Sequence, residues 1–85
     1  MYEVLLENRV KREIKKLPSK IINRIIEELD LLKRTPRPQG IKKLTAREEY
    51  RLVVGDYRIL YTIDDKNQNV FIERIKHRSS VYKKR

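Results

Sequence analysis

The sequence predicts an α+β fold: an N-terminal strand, a helical hairpin, then a three-stranded antiparallel meander closed by a short C-terminal helical turn. Three observations carry this expectation. Residues 50–54 and 57–63 are β-branched and aromatic runs meeting at Gly55-Asp56, a two-residue junction with Gly first that fits a type II′ or I′ hairpin turn. Before them, apolar residues recur at helical spacing in two consecutive segments split by Pro18. Residues 2–6 alternate weakly, as a strand does.

The elements follow in chain order. Tyr2 to Leu6 is the first strand. Asn8 is a candidate N-cap, and Val10, Ile14 and Leu17 then share one face of a short helix whose other face carries Arg9, Lys11, Arg12, Lys15 and Lys16. Pro18 ends that helix and suits the first turn of the next. From there to Arg34, the residues Ile21, Ile22, Ile25, Ile26, Leu29 and Leu32 form one apolar stripe, expected to cover one sheet face. Thr35 to Gly40 holds two prolines and a glycine and reads as a crossing loop. Residues 41–49 read as either a short strand or a turn.

The hairpin turn fixes a register. Val54 pairs with Tyr57, Val53 with Arg58, Leu52 with Ile59, Arg51 with Leu60 and Tyr50 with Tyr61. Tyr50, Leu52, Val54, Tyr57, Ile59 and Tyr61 therefore share a core face, and Arg51 and Arg58 stand together on the opposite one. Asp64 to Asn69 is a polar loop whose adjacent aspartates suit turn chemistry better than a metal site. Val70 to Lys76 completes a four-stranded, mainly antiparallel sheet.

Composition bounds the function. The 85 residues make a single domain, 1–85, with 40% charged residues, enough core for one helix layer on one sheet but not for a deep enclosed pocket. That argues against small-molecule metabolism. The formal charge of +10 favours a polyanion or an acidic protein partner. There is no cysteine, so neither a disulfide nor a thiolate zinc site can form. No apolar run reaches the ~18 residues of a membrane span, and with no signal-peptide pattern at the N-terminus the expected location is the cytoplasm.

The block Gly55-Asp56-Tyr57-Arg58-Ile59-Leu60-Tyr61, preceded by Tyr50-Arg51-Leu52 and followed by the ending His77-Arg78-Ser79-Ser80-Val81-Tyr82, resembles the RelE toxins of the RelE/ParE superfamily, mRNA interferases of toxin–antitoxin pairs. The resemblance covers nearly the whole chain. It implies a metal-independent endoribonuclease, with no cofactor, that acts in the ribosomal A site. There the 2′-OH of the mRNA attacks the adjacent phosphodiester and leaves a 2′,3′-cyclic phosphate. It also implies a RelB-like antitoxin in a heterotetramer or larger complex, with the ribosome and mRNA as further partners, no membrane, and DNA contact only through the antitoxin.

The site residues follow from the same resemblance. Arg58 matches the arginine that stabilises the transition-state phosphate, and Arg51 stands where the family often has a catalytic lysine. His77 or Arg78 falls where an acid–base or phosphate-binding cation is placed, and Tyr82 resembles the tyrosine on which a nucleobase stacks. By their charge, and apart from the resemblance, Lys42, Lys43 and Lys76 are candidate RNA contacts. One departure matters: Val53 occupies the position of a second family lysine. Arginine, with a pKa above ~12, is a poor base, which leaves proton abstraction to His77, Glu48, Glu49 or a ribosomal group. Two alternatives stand beside the nuclease: a ParE-like inhibitor of DNA gyrase, and a non-catalytic RNA- or ribosome-binding protein.

Overall fold

Hydrophobic alternation and helical periodicity resolve into one sheet with two helices on one face. The computed structural model describes residues 1–39, 41–43 and 49–81. The elements are β1 (Glu3–Leu6), α1 (Asn8–Lys15), α2 (Ser19–Leu32), β2 (Lys42–Lys43), β3 (Glu49–Val54), β4 (Tyr57–Asp64), β5 (Asn69–His77) and α3 (Arg78–Val81). The strand order is β1-β5-β4-β3-β2. β1 runs parallel to β5, and the other neighbours are antiparallel. No helix among the described residues is long and apolar enough to cross a membrane.

The hairpin register is as expected, with Val54 opposite Tyr57 and Tyr50 opposite Tyr61. Gly55 has φ +59 while Asp56 stays out of the left-handed region, which selects type II′ over I′. A Cβ at Gly55 would also meet the Arg24 guanidinium at 3.3 Å and the Ile21 side chain at 3.5 Å. The turn is thus tucked under α2.

Tyr50, Leu52, Val54, Ile59, Tyr61, Ile63, Val70, Ile72 and Ile75 form the buried sheet face, against Val10 of α1 and Ile25, Leu29 and Leu32 of α2. Both long helices therefore lie on this inner face.

Four details differ from expectation. The sheet has five strands rather than four, because Lys42 and Lys43 pair with Arg51 and Tyr50 at the edge of β3. Two charged residues carry no alternation signal, and short lysine-bearing strands are typical of protected edges. Glu7, not Asn8, is the N-cap of α1, without a side-chain hydrogen bond. The Glu7 amide still donates to the Ile72 carbonyl at 3.3 Å, which holds residue 7 extended and starts the helix at residue 8. Pro18 is likewise the N-cap of α2 rather than a residue of its first turn. Ile26, placed in the core stripe, is 54% exposed, because the buried line of α2 runs through Ile25, Leu29 and Leu32.

Where β1 gives way to α1, the edge of β5 needs another acceptor. Glu13 supplies it: one carboxylate oxygen accepts the Ile75 amide at 3.0 Å and the other accepts Arg74 Nε at 3.0 Å. A buried backbone donor left unpaired would cost about 1–3 kcal/mol.

The crossing loop is held by a polar clasp. Arg37 donates from Nε to the Tyr50 hydroxyl at 2.8 Å and from both terminal nitrogens to Asp65, at 3.1 and 2.8 Å. Tyr2 donates to the same carboxylate at 2.6 Å, and the Tyr61 hydroxyl donates to the Pro36 carbonyl at 2.8 Å. Burial pushes the Tyr61 hydroxyl well above the usual phenol range, so it remains a donor. Asp64 meanwhile accepts from the amide and side chain of Asn67, the turn chemistry expected of this loop.

Hydrogen bonds from Arg37, then from Tyr2, lower the Asp65 pKa from 3.8 to about 2. Between those two values the unfolded chain binds more protons than the folded one, so stability rises with pH there. The clasp's contribution is complete above about pH 4 and is lost as pH falls toward 2. Asp65→Asn should accordingly be less stable than the parent at neutral pH, with the difference shrinking between pH 4 and 2. Urea unfolding midpoints across that range measure it; a difference independent of pH would remove Asp65 from this role.

Candidate nucleic-acid interface

The outer sheet face is built by the alternation that buries the inner one. Because Leu52 and Ile59 point to the core, Arg51 and Arg58 point away from it. β5 adds Lys76, the Cα partner of Arg58, and β3 adds Val53 on the other side of Arg58. The sequence-derived pairing of the two arginines thus holds, and the structure brings Lys76 to them. Lys42 is the Cα partner of Arg51, and the exposed Lys43 is that of Tyr50.

The guanidiniums are held in an unusual state. Arg51 Nε and Arg58 Nε are shielded from solvent, and neither has a hydrogen-bond partner among the described residues. Among the described residues Arg58 makes one long bond, from a terminal nitrogen to the Tyr57 carbonyl at 3.4 Å. No described carboxylate pairs with Arg51, Arg58 or Lys76. A shielded donor without an acceptor is costly, and anionic oxygens are the acceptors a guanidinium bonds most strongly. Chemically, this arrangement can bind a phosphate and stabilise added negative charge on it.

His77 lies elsewhere. It is the Cα partner of Tyr57, and the two rings meet edge-on with centroids 5.1 Å apart. Tyr57 packs against the core, so the imidazole sits on the helix side of the sheet, opposite to the Arg58 and Lys76 side chains. Its Nδ1 accepts the Ser79 amide at 3.2 Å and lies 2.8 Å from the Ser79 hydroxyl. An amide N–H can only donate, so Nδ1 is the acceptor and the neutral ring carries its proton on Nε2. His77 is in effect the N-cap of α3.

Arg78 is engaged at the hairpin turn. Its amide donates to the Asp56 carbonyl at 2.7 Å, and its guanidinium is 3.7 Å from the Asp56 carboxylate. Both side chains are exposed, so the ion pair orients more than it stabilises. Tyr82 and Glu48 lie outside the described residues. Glu49 begins β3 as the Cα partner of Thr62, two positions along the strand from Arg51. Among the described residues no group of three or more His, Asp or Glu is placed to hold a metal ion. Sequence reasoning missed the His77 cap and the Glu13 clip; the position of His77 one residue before Arg-Ser-Ser is the only local hint of the cap.

Fold and face together define a basic α+β domain with a guanidinium-bearing outer sheet face. The chain belongs to the RelE/ParE family of toxins of type II toxin–antitoxin systems. The family model described as "ParE toxin of type II toxin-antitoxin system, parDE" matches residues 4–82. Toxin RelG of Mycobacterium tuberculosis is 33% identical over 98% of both chains. Among solved structures, the RelE–RelB complex of Pyrococcus horikoshii OT3 matches at TM-score 0.81 and 28% identity, covering 91% of this chain and 94% of that one. The toxin–antitoxin complex RelBE2 of M. tuberculosis matches at TM-score 0.79 and 32% identity, covering 91% and 98%.

Proposed function

We propose that this toxin is a ribosome-dependent mRNA endoribonuclease. The observation that carries the reading is the pair of guanidinium Nε groups on the outer face that have no partner among the described residues, flanked by Lys76. In the reaction, the 2′-oxygen of one nucleotide forms a bond to the adjacent phosphorus and the bond from phosphorus to the 5′-oxygen breaks. The products are a 2′,3′-cyclic phosphate and a 5′-hydroxyl. Arg51 and Arg58 stabilise the extra charge on the phosphorane, as fixed donors do for oxyanions. Lys76, the Cα partner of Arg58, and Glu49, two positions along β3 from Arg51, are groups on this face able to carry a proton. Tyr82 stacks a base, and Lys42 and Lys43 contact the RNA backbone. Arg78 holds the start of α3 to the turn.

His77 acts by capping α3 rather than at the reacting atoms. His77→Ala should cost about 1 kcal/mol of local stability, seen as faster amide exchange at Ser79, and should slow cleavage much less than Arg58→Ala does. A loss equal to that of Arg58→Ala would return His77 to the chemistry.

The partner class follows from charge and kin. The matched Pyrococcus horikoshii structure holds RelE with RelB, and a chain of net charge +10 calls for an acidic antitoxin that covers its cations. Ribosomes stalled on a defined mRNA test the activity. Cleavage within the A-site codon, with 2′,3′-cyclic ends, supports it, and intact mRNA overturns it. The family model's ParE description favours gyrase inhibition as the second reading, which a supercoiling assay decides.

A further inference from the structure

The outer face carries more than cations. Leu5, Phe71, Leu60 and Val53 also lie on it, and among the described residues none belongs to the core cluster or to the residues packed against it. Phe71, the one phenylalanine of the chain, is the Cα partner of Leu5 on β1 and of Thr62 on β4. Val70 and Ile72 are buried on either side of it, which turns Phe71 outward. Leu60 and Arg51 form the next row of the sheet, and Lys76, Arg58 and Val53 the row beyond. Rows two residues apart are ~7 Å apart and neighbouring strands ~4.8 Å apart, so the Phe71 backbone stands roughly 12–14 Å from those of Arg51 and Arg58.

The face is polarised. Glu73 accepts a hydrogen bond from the Thr62 hydroxyl at 3.1 Å, so the Phe71 end presents a carboxylate, while the Arg58 end holds the donors that have no partner among the described residues. A phosphate is repelled from the first and drawn to the second. A flat aromatic ring on an open sheet beside a phosphate-binding row is the arrangement by which sheet-based RNA binders stack bases.

We propose that Phe71, supported by Leu5 and Leu60, is a nucleobase-stacking platform for single-stranded RNA whose backbone is held by Arg51 and Arg58. This rests on the nuclease reading and deepens it. It assigns the chain a base contact at the centre of the sheet, separate from Tyr82. The strand lies across β5 and β4, with its phosphates toward the hairpin turn.

The chain has no tryptophan, so Phe71→Trp places a single fluorophore on the platform, Val53→Trp one at the arginine end, and Leu31→Trp one on exposed α2. The probe is a six-nucleotide, fully 2′-O-methylated RNA, which lacks the attacking hydroxyl. Quenching at positions 71 and 53 but not at 31 is the expected result. With it, Phe71→Leu should weaken binding of the labelled probe about 5- to 150-fold while Phe71→Tyr retains it. The leucine variant keeps an apolar side chain, and its melting temperature is checked against the parent.

Unchanged emission at 71 with quenching at 53, or equal binding by Phe71→Leu, overturns the platform and leaves the nuclease reading standing. Unchanged emission at both, with no binding by the parent, overturns the platform and counts against the nuclease reading as well. A concentration-dependent rise in mass without RNA, abolished by Phe71→Leu, would give the strip to a second copy of the chain and likewise overturn the platform.

Discussion

Arg58→Ala should lower A-site cleavage by about 10²–10³-fold, the loss typical when one preorganised donor to a developing oxyanion is removed. The fold should not suffer. Arg58 Nε is shielded and has no partner among the described residues, so the resting protein already bears its desolvation cost, and deleting it relieves that cost. A melting temperature equal to or above the parent's is therefore expected together with the loss of activity. Arg58→Lys restores the charge but not the Nε–H or the planar fork, and should recover only part of the rate. Single-turnover cleavage on programmed ribosomes, with thermal melts of the same preparations, measures both quantities. An unchanged rate would remove Arg58 from the site, and a large drop in stability would mean that its Nε has an acceptor after all.

That pairing of Arg51 with Arg58 was legible because the turn is only two residues long. A two-residue hairpin leaves no freedom in register, so naming Gly55-Asp56 as the turn assigns every side chain of β3 and β4 to a face. The type of turn was not legible, since Asp tolerates either backbone region and only the observed conformation decides. Beyond β4 the inference fails for a specific reason. β4 and β5 pair with a register shift at Leu60/Tyr61, and such an irregularity resets the alternation that counting along a strand relies on. Counting along the chain does not say which face His77 takes; only the paired positions Tyr57–His77 and Arg58–Lys76 reveal that the imidazole and the lysine point to opposite faces.

Long-range polar contacts were hidden for a related reason. Arg37 reaches Asp65 across 28 residues, and Tyr2 reaches it across 63. Nothing local distinguishes these side chains from solvated ones. Glu13 is similar: on the helix it reads as one acid among bases, and its role exists only because β1 stops short of Ile75. The elements were readable from period and turn chemistry, while the side chains joining them depended on strand order.

Helix α2 offers the sharpest test of packing. Ile25 and Ile26 were equivalent in the apolar stripe, but Ile25 is 0% exposed and Ile26 is 54% exposed. Ile26 instead lines a shallow groove with Val4, Leu6, Leu29, Asp30 and Lys33. Truncating a fully buried isoleucine to alanine removes its transfer free energy and leaves a cavity, together about 2–5 kcal/mol. A domain of this size has about 4–13 kcal/mol in total. Ile25→Ala should therefore lower the melting temperature by roughly 8–40 °C, or leave the chain unfolded at 37 °C. Ile26→Ala should cost under about 1 kcal/mol, because most of its surface stays in water either way. The contrast between neighbours separates the helix orientation from helix propensity, since both substitutions replace isoleucine by the better helix former. Equal losses at the two positions would mean that α2 is rotated from the orientation described, or that a partner covers the Ile26 groove in solution.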